Sequence, residues 1–487
     1  MIRITSLFVL GFCSLFLNAQ QAWVVDTTFA TNLEHRSITD IEFYDDYILI
    51  SGLLQFESEI TPCYSAKIDY NGNMTGCFSG GGGIVPWSNR YYIGIGESVF
   101  RKFETGERDY SFAIGNFFYQ PVHAGQFVVL PDDKVLVTGG RDLYSTVDTT
   151  LIGANFCLTR YDTLGNLDST FQHRQCQFGI AQRIVAHQDG KFLVSGVMDV
   201  FDSQPVGHIF KVNYDGSLDS TFHTNIDFGT ATDYYFYNDG RILASGWFHS
   251  PEIPNDTIPL VRLMPDGTID HSFNYDIRLR KYPGSSSVGV VQGMYTLDSA
   301  TLFIGGSFAT LNEEWVGGVF AIDTAGTILP EYFPGMNCDT IVGPNTIIAL
   351  GMRDFEMGPD GMLYAYGFFH GFDDGYQNHP DQTMIIRLKQ VNVGVEELSD
   401  PRSDATLSLF PNPATSTVTI DYTMHESTAE AYLVVSDLLG RELFRHQVNE
   451  KKQHYVWDTQ AVASGTYNVT LVNKTHTLRT EKLVIHH

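Results

Sequence analysis

Residues 209–222 read IFKVNYDGSLDSTF, and the chain returns to nearly the same phrase four more times. SAKIDYNGNMTGCF ends at Phe78, LTRYDTLGNLDSTF at Phe171, LVRLMPDGTIDHSF at Phe273 and VFAIDTAGTILPEYF at Phe333. A second phrase recurs seven times: YDDYILISG closes on Gly52, NRYYIGIG on Gly96, DDKVLVTG on Gly139, DGKFLVSG on Gly196, DGRILASG on Gly246, SATLFIGG on Gly306 and DGMLYAYG on Gly367. Repetition at this period means an array of like supersecondary units, none of which buries its apolar face alone.

Each unit reads as β structure. Runs of four to six β-branched and aromatic residues are bounded by Asp-Gly and Gly, which favour the tight turns between antiparallel neighbours. Two strands come from the DGxxLxxG phrase and its approach, and two from the hairpin around Asp215-Gly216 and its equivalents. Four strands make one propeller blade. The last unit runs through MIIRLKQVN and lacks the terminal phrase, whereas VVDTTF, ending at Phe29, is an orphan copy near the N-terminus. A strand lent by the start of the chain to the final blade pairs an otherwise open edge. The expected fold is all-β: a seven-bladed propeller over residues 21–392, with degenerate units one, two and seven leaving six or eight as the alternatives, followed by a small immunoglobulin-like sandwich.

The recurring positions Gly196, Asp215, Gly216, Leu218, Asp219 and Phe222, matched by Gly246, Asp266, Gly267, Ile269, Asp270 and Phe273, resemble the delta-60 repeat family. That resemblance implies a β-propeller and no common reaction. After an acidic linker at 393–404, residues 405–487 alternate apolar and polar residues in short strands. Their Pro411-Asn412-Pro413, Asp437, Gly440, Ser464-Gly465, Tyr467 and Lys482 resemble the C-terminal sorting domain of the type IX secretion system, which implies the secretion machinery as a partner, passage across the outer membrane and removal of the tail. Residues 1–20, MIRITSLFVLGFCSLFLNAQ, read as a secretory signal peptide cleaved after Ala19 or Gln20. Cys13 lies inside its apolar core behind Phe12, which argues against a lipid anchor. No later segment has the unbroken apolar length of a membrane span.

The chain carries 56 Asp+Glu against 30 Lys+Arg, a net charge of -26. The sorting segment is nearly balanced, so the acidity belongs to the propeller. Phosphate backbones need dense Lys and Arg, and nucleic acid is excluded as a partner. Cysteines fit an oxidising compartment. Cys63 and Cys77 flank the Asn71-Gly72 hairpin, Cys157 and Cys176 flank the equivalent hairpin at Gly165, and two local disulfides are expected with Cys338 left over.

Catalytic signatures are missing: the sequence has no GxSxG, HExxH, Walker loop or zinc-spaced Cys/His set. No catalytic residue, metal ligand or cofactor is assigned, and calcium is the one ion considered for the chain. That loop, FFHGFDDGYQNHPDQ, gathers His370, Asp373, Asp374, Tyr376, His379 and Asp381, which suit a cation or a sugar. Two functions follow. One is a secreted or surface binding module for a glycan or an extracellular protein. The other is a polysaccharide hydrolase or lyase with two carboxylates facing the central channel. Opposed carboxylates at the ring axis, with a His or Tyr in reach, are what distinguishes the second from the first.

Overall fold

A computed structural model describes residues 20–57, 61–95, 98–112, 122–144, 150–253, 257–338, 341–343, 346–348, 351–393, 405–424, 431–437, 441–448, 452–473 and 476–486. The signal segment, Gly440 and most of the linker lie outside them. The described residues contain strands and no helix. They form two compact units that divide between Asn392 and Val393.

The N-terminal unit is a β-propeller. Its main sheets, A to G, follow the sequence repeats, each with an inner strand first and the strand of the Gly-terminated phrase second. The inner strands are Leu33–Phe43 in A, Gly83–Trp87 in B, Val122–Val129 in C, Ile180–Ala186 in D, Phe228–Phe236 in E, Val290–Thr296 in F and Gly351–Met357 in G. Each sheet packs on the next, and the inner strand of A packs on sheet G, so the series is circular. The clusters that fill the gaps are apolar: Leu193, Ile209, Phe222, Ala244 and Val261, for instance, join D to E with almost no exposure.

The fourth strand is shorter than the sequence suggests. Sheet A has one in full, Met74–Phe78. Sheet G takes one from the start of the chain, Gln20–Val25, whereas in B, D, E and F it shrinks to single bridges such as Val212↔Leu218 and Leu263↔Ile269. The reason lies in the Asp of the repeated phrase. Asp270 Oδ1 accepts from the amide of Ser272 at 2.9 Å and from its hydroxyl at 2.7 Å, which turns the chain out of the ladder. Its other oxygen accepts from Arg262 Nε at 2.8 Å, and the guanidinium lies 5.0 Å over the ring of Phe273. The same box holds Arg160, Asp168, Thr170 and Phe171. A copy absent from the phrases quoted above, in sheet B, uses Arg101, Asp109, Ser111 and Phe112. The signal for it is an Arg eight residues before the Asp. Sheet F carries Ala321 and Leu329 at the two charged positions, so both partners are exchanged together for apolar ones.

Closure of the ring uses a split copy of this box. The N-terminal strand Gln20–Val25 pairs with Asn378–Val393 of sheet G. Asp26 accepts from Arg387 Nε at 2.9 Å, Thr28 bonds both, and Arg387 stacks 5.3 Å from Phe29. The remaining arm of Arg387 donates to the carbonyl of Tyr70 in sheet A at 2.7 Å. Arg101 and Arg262 make the equivalent reach, to the carbonyls of Thr163 and Thr324 in the next unit's turn.

The C-terminal unit consists of two antiparallel sheets around a common core that includes Val418, Ile420, Leu433, Val435, Val469, Leu471 and Leu483.

Removing one partner of a buried ion pair strands the other charge, at a cost of about 3–5 kcal/mol. Asp26→Ala is therefore expected to lower the stability of the N-terminal unit by about that amount. The double change Asp26→Leu with Arg387→Ala, which imitates Leu329 and Ala321, is expected to recover much of it. Thermal unfolding followed by near-ultraviolet circular dichroism checks both, and equal damage by the single and double changes would refute the account.

Candidate functional site at the ring channel

The inner strands carry a shared irregularity. Pairing with the second strand slips by one residue between Ile38 and Asp40, Ala181 and Arg183, Ala231 and Asp233, Val291 and Gly293, and Met352 and Asp354. The bulged residues are Thr39, Gln182, Thr232, Gln292 and Arg353. All of them line a central cavity of about 550 Å³ to which every sheet from A to G contributes. Opposite each bulge stands the Gly that ends the recurring phrase. At Gly52 and Gly246 a Cβ would lie 2.1 and 2.2 Å from the carbonyl oxygens of Ser37 and Thr230, and φ is +152° at both. The recurring glycine is thus required by the bulge, and the bulge aims a variable side chain at the channel.

Residues just past the bulges bring carboxylates to the channel. Asp40 Oδ2 accepts from the Ile84 amide of sheet B at 2.6 Å, and Asp233 Oδ2 from the Met294 amide of sheet F at 3.1 Å. Arg183 lies 3.3 Å from Asp233 Oδ1. Asp354 Oδ1 accepts from the Phe355 amide at 2.9 Å. Asp40 and Asp233 are thus braces between inner strands as well as acids. Burial pushes the Asp40 carboxyl up to about 6, even against the amides of Ile84 and Ile41 and the nearby Arg353. Burial and then the charge of Asp40 push Glu42 up to about 7, and burial with Asp40 and Glu42 pushes Glu356 up to about 8. Asp354 is raised by burial and by Asp233.

One mouth of the channel widens into a pocket of about 760 Å³ between sheets F, G and A. Its floor is a bar of three bulge residues. Arg353 donates from Nε to the Thr39 carbonyl at 3.2 Å and from Nη1 to Gln292 Oε1 at 2.9 Å, so one side chain ties three sheets. Its walls include Leu53, Ser307, Phe368 and His370. Phe368 is 37% exposed and meets His370 edge-on at 6.3 Å.

Only His370, of the six residues expected to form a site, lines this mouth. Residues 368–382 are a β-hairpin and not a long loop, because Leu363–Asp374 and Asn378–Val393 pair almost to the tip. Asp374 is buried and accepts from the amides of Val25, Tyr376 and Gln377, with His379 Nε2 at 3.1 Å. Asp374 and His379 therefore fasten the N-terminal strand and the turn. Asp373 accepts from the Gly375 amide, Tyr376 is exposed at the tip and Asp381 is exposed on the returning strand. Among the described residues, no three His, Cys, Asp or Glu are grouped to hold a metal ion. Sequence reasoning passed over Arg353, Gln292 and Thr39. A signal was available in the alternation of Ser37–Glu42 and its counterparts, which breaks at the bulge. Gly246-Trp247-Phe248-His249 and Gly367-Phe368-Phe369-His370 are likewise two copies of one phrase at the same blade position.

The cysteines sit where their hairpins bring them. Cys63 is joined to Cys77 and Cys157 to Cys176, each pair with Cα atoms 5.6 Å apart, and Cys338 is a buried thiol. In the C-terminal unit Asn412, between two cis prolyl bonds at Pro411 and Pro413, donates to the Lys482 carbonyl at 2.6 Å and accepts from the Val484 amide at 2.9 Å. Tyr467 pairs in register with Asp437, and its hydroxyl donates to the Ala463 carbonyl at 2.7 Å beside Gly465.

Residues 408–486 match the family described as a secretion system C-terminal sorting domain. Residues 187–222 and 238–273 match a domain of unknown function (DUF5122) beta-propeller. No curated protein sequence matches the chain. Among solved structures, PorZ, described as an essential bacterial surface component of the type-IX secretion system of Porphyromonas gingivalis, is 11% identical over 93% of this chain and 75% of its own, with a TM-score of 0.27. The N-terminal domain of Nup159 is 9% identical over 76% of this chain and 96% of its own, with a TM-score of 0.31. AztD from Citrobacter koseri is 10% identical over 88% and 89%, with a TM-score of 0.17. The sorting tail marks the protein for type IX secretion to the cell surface or the extracellular space.

The two sets of carboxylates give opposite pH dependences. Asp26, Asp109, Asp219 and Asp270 lie below the ordinary range: burial raises them, and hydrogen bonds and their cationic partners more than offset it. Their stabilisation is present above the unfolded value of 3.8 and lost as pH falls through the folded values. Glu42 and Glu356 keep their protons in the fold, so stability declines as pH rises from the unfolded value of 4.5 to about 8. Denaturant titrations across pH are expected to place maximal stability on the acid side of neutrality. Glu356→Gln is expected to flatten the alkaline decline, and an unchanged slope in that variant would count against a buried, protonated Glu356 as its cause.

Proposed function

We propose that this is an extracellular binding protein, a seven-bladed propeller of the delta-60 kind that presents the mouth of its channel to a glycan or protein ligand. A signal peptide at 1–20, a linker at 393–404 and an immunoglobulin-like sorting domain at 405–487 complete the chain, with the type IX machinery as export partner. The seven sheets in circular contact support the blade number.

The observation that carries the binding reading is the mouth itself. It is concave, its polar groups are fixed by hydrogen bonds between blades, and an aromatic face stands half exposed beside them. Recognition sites combine such apolar walls with a few placed polar groups. Aromatics elsewhere on the unit, such as Trp315 at 46% exposure, stand outside this lining. The enzyme reading draws support from the channel, where Asp40, Asp233 and Asp354 stand with Tyr366 among the lining residues. Perturbed carboxyls favour catalytic sites. Against it, Asp40 and Asp233 hold backbone amides of the neighbouring strand, and burial, followed by the charges of Asp354, Asp40 and Glu356, drives the Tyr366 hydroxyl well above its ordinary range.

The purified secreted protein, passed over a panel of polysaccharides and extracellular matrix proteins with and without calcium, separates the two. Retention without product is expected, with Phe368→Ala weakening it roughly tenfold or more, as removal of a buried aromatic anchor does. Product formation that Asp354→Asn abolishes would replace binding with hydrolysis or elimination.

A further inference from the structure

The electrostatics of the mouth differ from those of the rest of the unit. The chain carries -26 overall, and the channel holds Asp40, Asp233 and Asp354. Among the described residues, the mouth lining contains no carboxylate, and its one permanent charge is Arg353. The guanidinium plane of Arg353 is set by its bonds to Thr39 and Gln292, which use two of its five N–H groups. A fork held in this way loses little freedom when it meets a planar anion. The same lining includes the short polar side chains of Ser37, Thr39 and Ser307, the amide of Gln292 and the partly exposed ring of Phe368. Short hydroxyls and an amide suit a ligand rich in hydroxyl groups, and an exposed aromatic face suits the C–H face of a pyranose ring.

The size of the anion is limited by the same field. A polyanion approaching a protein of this net charge is repelled at long range, whereas one charge on an otherwise neutral molecule meets little barrier and gains the local contact. Arg353 already lowers the carboxyls of Asp40 and Asp233 from the levels that burial alone imposes, so its charge is shared with the channel below and balances one further anion, not a row of them.

We propose that the mouth seats a single carboxylate-bearing sugar at the end of an otherwise neutral glycan, with Arg353 as the anion anchor and Phe368 as the stacking face. This rests on the binding reading above and narrows it to a ligand class.

The test uses the full secreted protein and three probes of one shape, glucuronate, glucuronamide and glucose, titrated by ligand-observed NMR. Glucuronate is expected to bind, with the amide and the neutral sugar about tenfold weaker or more, since a charge-assisted contact is roughly twice a neutral one. Arg353→Gln is expected to erase that preference, Arg353→Lys to restore part of it, and Phe368→Ala to weaken all three probes alike. The ligand-side comparison needs no variant, so a fold damaged by losing Arg353 does not obscure the result. Equal binding of glucuronate and glucuronamide, both still dependent on Phe368, would overturn the carboxylate assignment while leaving the mouth a binding site. Preference for a dipeptide with a free C-terminal carboxylate over all three sugars would overturn the glycan class. Failure of every probe, together with unchanged retention of Phe368→Ala on the panel above, would remove both this inference and the reading beneath it.

Discussion

One interaction recurs at the seams of the N-terminal unit: a cation from the third strand, an Asp eight residues later, a hydroxyl two beyond it and a Phe next. It does three physical jobs at once. The Asp ends the ladder, the cation neutralises the buried Asp, and the ring covers the cation. The arm that remains reaches a turn carbonyl of the next blade, as Arg387 does to Tyr70. A buried ion pair by itself adds little stability, because desolvation offsets its attraction. It does specify which segments meet. The ring closes with Asp26 and Arg387, 361 residues apart.

The channel follows from a second constraint. A slip of one residue in the inner strands of A, D, E, F and G crowds the backbone against the second strand, and a glycine there relieves the crowding. The architecture is thereby fixed by residues that repeat, while the side chain at the bulge is free to vary. Thr39, Gln182, Thr232, Gln292 and Arg353 share one position, and of the five only Arg353 is charged. Function in such a fold lies where the repeats disagree.

This division explains what was legible in the sequence. The strand periodicity, the recurring Gly and LDSTF phrases and the orphan VVDTTF all report local geometry, so the propeller and its closing segment were readable from residues alone. The fourth strand was overestimated, because the side chain of Asp219 or Asp270 competes with the ladder and period-2 patterning does not register that. The hairpin around Asp374 shows a related limit of sequence patterning. Acidic and aromatic residues at a blade edge resemble a ligand loop, yet Asp374 faces inward to hold the amide of Val25. Arg353 was overlooked because a lone Arg inside a strand reads as a solvated face. Only the convergence of three inner strands shows that its neighbours are Thr39 and Gln292, from sheets far apart in sequence.

The channel carboxylates and the mouth arginine are parts of one charge arrangement. Glu42, Glu356 and Asp354 crowd one another, and crowded acids in a confined space retain protons and do not all ionise. Arg353 lies between this acidic interior and the opening, bonded sideways to Thr39 and Gln292 and not directly to a carboxylate oxygen among the described residues. A cation bonded to uncharged partners keeps most of its field, whereas one in a close ion pair is largely cancelled at short range. The ring therefore holds a cation, fixed by uncharged partners, between its acidic channel and one small opening. That contrast arises because the bulge lets a single residue type change without disturbing the sheet that carries it.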